Sequence, residues 1–179
     1  MVPSERYDKA SIALHWLTLA LLIGVYACIE LRELFPRGSD ARAALKTWHF
    51  MLGLTVFAVV WIRLLARVFG KTPPIVPTVP RWQAAIATMV EFSLYALLIA
   101  LPILGWITLS AGGKVIPFFG LELPALVQPN KEFGHRMEDL HTTLGTAGYY
   151  LVGIHAAAAL FHHYVRHDNT LLRMLPSRR

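Results

Sequence analysis

The chain has 179 residues, 55% of them hydrophobic and only 16% charged, with a mean hydropathy of +0.48. That is too apolar for a soluble domain, because the apolar residues fall in long uninterrupted runs. The formal charge of +6 does not mark a nucleic-acid binder; its excess gathers on one side of those runs, as the positive-inside bias of a membrane protein does.

Residues 10–29, 47–62, 92–113 and 140–165 contain no Asp, Glu, Lys or Arg. Such runs predict an all-α integral membrane protein, a four-transmembrane-helix bundle forming a single domain over residues 1–179. The first helix is expected at about 9–30. It carries His15 and has no small-x-small site, so it is read as a retained span and not as a cleaved secretory signal. The second is expected at about 45–68, with Arg63 and Arg67 snorkelling to the headgroups to extend a short run; it carries His49. Pro73, Pro74, Pro77 and Pro80 then make an extended, polyproline-like strap.

The third helix is expected at about 82–110, with Pro102 inside it, a residue tolerated in membrane helices where neighbours satisfy the freed carbonyl. The connection over residues 111–139 is the longest. Pro117, Pro124 and Pro129 break it, while Val115, Ile116, Phe118, Phe119, Leu121 and Leu123 keep it apolar. It reads equally as a segment lying on the membrane and as a lid over an outer cofactor. The fourth helix is expected at about 140–165 and carries both His141 and His155.

With the N-terminus cytoplasmic, the inner segments hold ten basic residues against three acids, Glu5, Asp8 and Asp168. The outer segments hold seven of each, and Glu91 lies near the start of the third helix. This bias places both termini in the cytoplasm. The lone Cys28 rules out an intrachain disulfide and a Cys-x-x-Cys-His attachment site, so a haem would be bound non-covalently.

Ionisable side chains at membrane depth are costly, which makes each transmembrane histidine a functional candidate. Of eight histidines, His135 is expected before the fourth helix and His167 after it, and His162 and His163 near its inner interface. His15, His49, His141 and His155 remain. His141 and His155 are fourteen residues apart, about 40° short of four full turns, so they share a helix face about 21 Å apart along the axis. One helix then offers a ligand near each membrane surface. Zinc wants four clustered ligands, whereas a haem iron needs only two axial imidazoles. By depth His49 pairs with His141 at the outer level. For the inner level, depth slightly favours His162 over His155 as partner of His15, so geometry leaves that pairing open. Gly53, Gly145 and Gly148 follow the histidines at helical spacing and would admit either a flat macrocycle or close helix packing.

These residues resemble the bacterial di-haem cytochrome b561 family. The likeness rests on Leu14-His15-Trp16-Leu17, Trp48-His49 with Gly53, Tyr95, Leu101-Pro102, Gly105-Trp106, and the string from His141 through His155 to His162-His163-Tyr164. It continues through Asp168-Asn169-Thr170-Leu171-Leu172-Arg173-Met174-Leu175-Pro176 and covers nearly the whole chain. The resemblance implies a four-helix bundle with two b-type haems, the inner held by His15 and His155 and the outer by His49 and His141. Glu30-Leu31-Arg32, Phe35-Pro36-Arg37 and residues 153–159 look most like the superoxide oxidase branch, which passes electrons from periplasmic superoxide to ubiquinone. Glu91 departs from the family, standing where relatives often have a histidine; a salt bridge to Arg63 or Arg67 is expected there.

The expected function is that of a superoxide:ubiquinone oxidoreductase, with superoxide, ubiquinone and the lipid bilayer as partners. Arg37, Arg42, Lys46, Lys114, Lys131 and Arg136 are candidates for steering the anion to the outer haem. They serve equally well as counter-charges to the outer acids. Trp48 and Trp106 lie at the outer boundary, where a quinone or merely an aromatic belt would place them. The alternative function is a cytochrome b subunit linking a partner dehydrogenase to the quinone pool.

Overall fold

The structure, a computed structural model, describes residues 6–176. Glu5, Arg178 and Arg179, which enter the inner charge count, lie outside these residues. Four helices, α1 (Lys9–Leu31), α2 (Asp40–Phe69), α3 (Arg81–Ala111) and α4 (Lys131–Phe161), are the main elements. All four are long and apolar enough to cross a membrane. Their apolar side chains face outward to a degree no water-soluble bundle tolerates, with Val68, Phe69 and Phe92 more than 70% exposed.

Three of the four helices begin where side chains cap them. Asp8 accepts from the Ser11 amide at 2.8 Å, Ser39 from the Arg42 amide at 3.3 Å, and Asn130 from the Phe133 amide at 3.0 Å. Two starts therefore differ from the hydropathy reading. α2 begins at Asp40 and not at about 45, and α4 begins at Lys131 and not at about 140. Hydropathy marks the part that lipid surrounds, whereas capped, charged turns extend the helix into water. His135 consequently lies within α4, and the connection from α3 to α4, on the side labelled outer from the charge bias, shrinks to residues 112–130. At its inner end α4 stops at Phe161, and residues His162–Arg166 form a wide π turn that closes on His167.

The outer connection contains a hairpin that the sequence reading lacked, β1 (Ile116–Phe118) against β2 (Leu121–Leu123), paired antiparallel. Its two turn residues, Phe119 and Gly120, both have positive φ, 47° and 87°, the geometry of a tight two-residue hairpin turn. Ile116 is only 2% exposed and packs with Leu54 of α2 and Leu109 of α3. Trp106 Nε1 donates to the Pro124 carbonyl at 2.9 Å, fastening the rest of the connection to α3. At the opposite end, the strap after α2 is fastened to the tail. Asn169 and Val76 exchange hydrogen bonds of 3.1 and 2.8 Å, Arg173 donates to the Pro73 carbonyl, and Trp16 Nε1 donates to the Met174 carbonyl at 2.9 Å.

Within the bundle α1 packs chiefly on α2, and α3 on α4. The α1–α4 and α2–α4 faces are not among the close-packed ones. The histidines meet across these two looser faces.

Candidate functional site

The outer pair brings His49 of α2 to His141 of α4, with ring centres 6.1 Å apart and planes at 77°. Each ring is held from behind. His49 Nδ1 donates to the Val25 carbonyl of α1 at 3.0 Å, and His141 Nδ1 to the Leu101 carbonyl of α3 at 3.0 Å. A carbonyl can only accept, so the proton is assigned to Nδ1 and Nε2 is left with its lone pair. Every helix thus contributes to this level, two with rings and two with backbone. Gly105 lets α3 come close: a Cβ there would stand 3.3 Å from His141 Cε1. Gly53 and Gly145, each four residues after an outer histidine, have no atom within 4 Å of a Cβ position, so the backbone offers a flat approach on both sides. The surrounding wall is apolar and includes Phe50, Leu54, Trp106 and Ile116.

The inner pair brings His15 of α1 to His155 of α4, with ring centres 6.3 Å apart and planes at 51°. The α4 face around His155 is built of small residues, Gly153 and Ala156–Ala159, and Gly153 again has no atom within 4 Å of a Cβ position. His162, the alternative by depth, is engaged elsewhere. Its Nδ1 donates to Asp168 Oδ2 at 2.5 Å, and Asp168 is only 4% exposed. Outside the spans, burial pushes the Asp168 carboxyl up, but hydrogen bonds from His162 and Thr170 outweigh it and hold it below the ordinary aspartate value.

In ring spacing both pairs suit an iron already held in a macrocycle, and at the outer pair the Nδ1 bonds also leave both Nε2 lone pairs free. Two nitrogen–metal bonds of about 2 Å, plus about 1 Å from each nitrogen to its ring centre, give about 6 Å between ring centres. The planes need not be parallel, since a single bond from each ring to a metal would impose no particular twist between the rings. Among the described residues no group of three or more His, Cys, Asp or Glu side chains could hold a bare metal ion. Two imidazoles are too few for zinc and sufficient for the axial positions of a haem.

Contacts of Arg63 and Tyr26 that sequence reasoning did not place complete the picture, and the two open readings of Glu91 and Gly148 are resolved. Arg63 does not pair with Glu91; its Nη2 donates to His15 Nδ1 at 2.8 Å, and its guanidinium lies 5.3 Å from the Tyr95 ring centre. Arg67 takes Glu91, at 3.2 Å. Gly148 is not a macrocycle seat, because the Tyr26 hydroxyl occupies the recess it makes. Tyr26 in turn stacks on Tyr149, at 3.9 Å between ring centres, and Tyr149 donates to Glu30 at 2.8 Å. The spacing of His15 and Arg63 along the chain carries no hint of their contact.

The six outer basic residues fall into two groups. Arg42 is bound to both oxygens of Glu33 and to the carbonyls of Arg32 and Phe35, and Arg136 pairs with Glu132. Arg37, Lys46, Lys114 and Lys131 are exposed and, among the described residues, have no ion-pair partner. Trp48 packs edge-on to Phe119 of the hairpin, at 6.2 Å between ring centres.

The family described as prokaryotic cytochrome b561 matches residues 6–177. The chain is 39% identical over 175 residues to cytochrome b561 homolog 1 of Escherichia coli (strain K12), covering 98% of this chain and 99% of that protein. It is 37% identical over 175 residues to a Yersinia pestis protein named probable superoxide oxidase CybB, covering 98% of each. Cytochrome b561 homolog 2 of Escherichia coli (strain K12) is 29% identical over 172 residues, covering 96% of this chain and 92% of that protein.

Proposed function

The chain belongs to the prokaryotic cytochrome b561 family, and from that we propose that it is a two-haem carrier moving electrons from superoxide at the outer face to ubiquinone. Membership brings b-type haem binding and membrane electron transfer. The observation that carries the two-haem reading is the pair of facing histidine couples, 6.1 and 6.3 Å between ring centres, at two levels of one bundle. His49 with His141 serves the outer level and His15 with His155 the inner, in a bacterial inner membrane with both termini cytoplasmic.

Held by His49 with His141 and by His15 with His155, b-type haem would supply a one-electron couple suited to electron transfer. The protein's part is to orient and to exclude water. The Val25 and Leu101 carbonyls fix the orientation and tautomer of the outer rings. Ile116 and Trp106 wall the outer pocket beneath the hairpin, so the loop lies over the site while Val115, Phe119 and Leu121 stay exposed beside it. Exposed Arg37, Lys46, Lys114 and Lys131 draw the anion. In the balanced reaction two superoxide ions each lose one electron and leave as dioxygen. One ubiquinone gains both electrons and two protons to become the quinol.

Superoxide as donor is supported by the relative named probable superoxide oxidase. The relatives named only as cytochrome b561 homologs favour a second reading, a cytochrome b subunit that links a partner dehydrogenase to the quinone pool. Pulsed superoxide added to the oxidised, purified protein with a ubiquinone analogue separates them. The proposal expects fast haem reduction followed by quinol. Reduction no faster than in a superoxide-free control, or no quinol, leaves the second reading.

A further inference from the structure

The tip of the outer hairpin is a strained turn held by two side chains of α2. Phe119 has φ 47°, in the left-handed region that non-glycine residues rarely adopt, so its surroundings must hold it there. Its ring packs edge-on to Trp48, and its amide donates to Met51 Sδ at 3.4 Å. Trp48 and Met51 are three residues apart and share one face of α2. The base of the hairpin is secured separately, by Ile116 buried against Leu54 and Leu109.

The acceptor for this turn amide is thus a thioether, which accepts only weakly. It is also a group that peroxides convert. Met51 is half-buried, and its neighbours Trp48 and Phe119 are exposed, so the sulfur lies at the surface of the bundle. An S–O bond of about 1.5 Å followed by a hydrogen bond of about 2.9 Å needs roughly 3.9 Å between sulfur and amide nitrogen. The separation is 3.4 Å. An added oxygen either displaces the tip or points away, leaving the amide against a positively polarised sulfur. Both outcomes remove the contact that fixes Phe119.

We propose that Met51 is a peroxide-modification site and that its sulfoxide unlatches the hairpin tip while the base stays seated. The sulfur gives an electron pair to one oxygen of hydrogen peroxide. An S–O bond forms, the O–O bond breaks, and the departing hydroxide takes the remaining proton and leaves as water. Sulfur is oxidised by two electrons and the peroxide is reduced by two. Hydrogen peroxide itself arises, with dioxygen, when two superoxide ions and two protons react together. The latch therefore answers to superoxide that has disproportionated, and it requires neither haem nor quinone. Reductases return each sulfoxide epimer to the thioether, so the release is reversible.

Hydrogen peroxide added to the protein in lipid nanodiscs tests this, with oxidised methionines located by peptide mass spectrometry and hydrogen exchange followed over residues 115–123. Met51 is expected to gain one oxygen and the hairpin amides to exchange about threefold faster, with exchange in α2 unchanged. Treatment with the two sulfoxide reductases should restore the original rate. Met51→Leu has no acceptor, so it should exchange at the faster rate before peroxide and ignore its addition. Met51 left intact while Met89, 63% exposed, is oxidised overturns the proposal. So does unchanged or slower hairpin exchange once Met51 is oxidised, or the same acceleration by peroxide in Met51→Leu. The oxidation and its reversal in the unmodified protein decide the matter even if that variant fails to fold.

Discussion

Tyr26 of α1 and Gly148 of α4 fit as knob and recess: the phenol oxygen lies 2.7 Å from where a Cβ would stand on Gly148, and it donates to the Gly145 carbonyl at 3.0 Å. This contact ties α1 to α4 between the two histidine levels, on a face that is otherwise loosely packed. Gly148→Ala should therefore destabilise the protein by about 1 kcal/mol, the overlap exceeding the gain in helix propensity. In a Tyr26→Phe background the nearest ring atom, Cζ, is 4.0 Å away, and the same substitution should become stabilising by about 1 kcal/mol. Thermal unfolding of the four proteins of this cycle checks the change of sign.

The inner pairing separates two histidines that depth alone could not. His155→Ala should reduce the haem content from two per chain to one, while His162→Ala keeps both. The haem-to-protein ratio of each purified variant decides, and the reverse pattern would move the inner ligand to His162.

Acid should loosen the tail before it unfolds the bundle. Asp168 has its carboxyl held below the ordinary value in the folded protein by its bonds to His162 and Thr170. A depressed folded value contributes stability that is complete above about pH 4, the unfolded aspartate value, and is lost as pH falls through the folded one. Hydrogen exchange over residues 168–175 should accelerate in that acid window more than exchange within α2. Asp168→Asn should exchange faster at neutral pH and lose the acid step.

Charge steering should reside in the unpaired outer bases. Lys46→Glu combined with Lys114→Glu is expected to slow haem reduction by superoxide about tenfold at low salt. The difference should fade near 1 M salt, where screening reaches only about 3 Å. Arg42→Gln should act differently, loosening the turn after α1 by removing its bonds to Glu33 and to the Arg32 and Phe35 carbonyls. A rate that ignores both the lysine reversals and salt would count against steering.

The parts legible in the sequence were those governed by one-dimensional rules. Charge-free runs marked the four spans, and helical spacing put His141 and His155 on one face. Capping residues Ser39 and Asn130 were present but outweighed by hydropathy, which cannot register a helix continuing into water. The hairpin escaped because its turn is Phe119-Gly120 with no Asn-Gly or Asp-Gly signal. What was not legible is what depends on contacts between distant segments. The Val25 and Leu101 carbonyls belong to every sequence equally, and Arg63 reads as an ordinary snorkelling base until α1 is seen beside it. Gly148 illustrates the same limit, since spacing cannot tell a recess for a macrocycle from one for a phenol.

The carbonyls behind His49 and His141 have a consequence for how this architecture can vary. A carbonyl comes with the main chain at every position, so exchanging the side chain of Val25 or Leu101 leaves the acceptor in place. Only a change of helix register or a new proline would remove it. His15 leans on a side chain instead, and a single codon change at Arg63 deletes its partner. The outer fitting is thereby buffered against point mutation, and the inner one is adjustable in a single step.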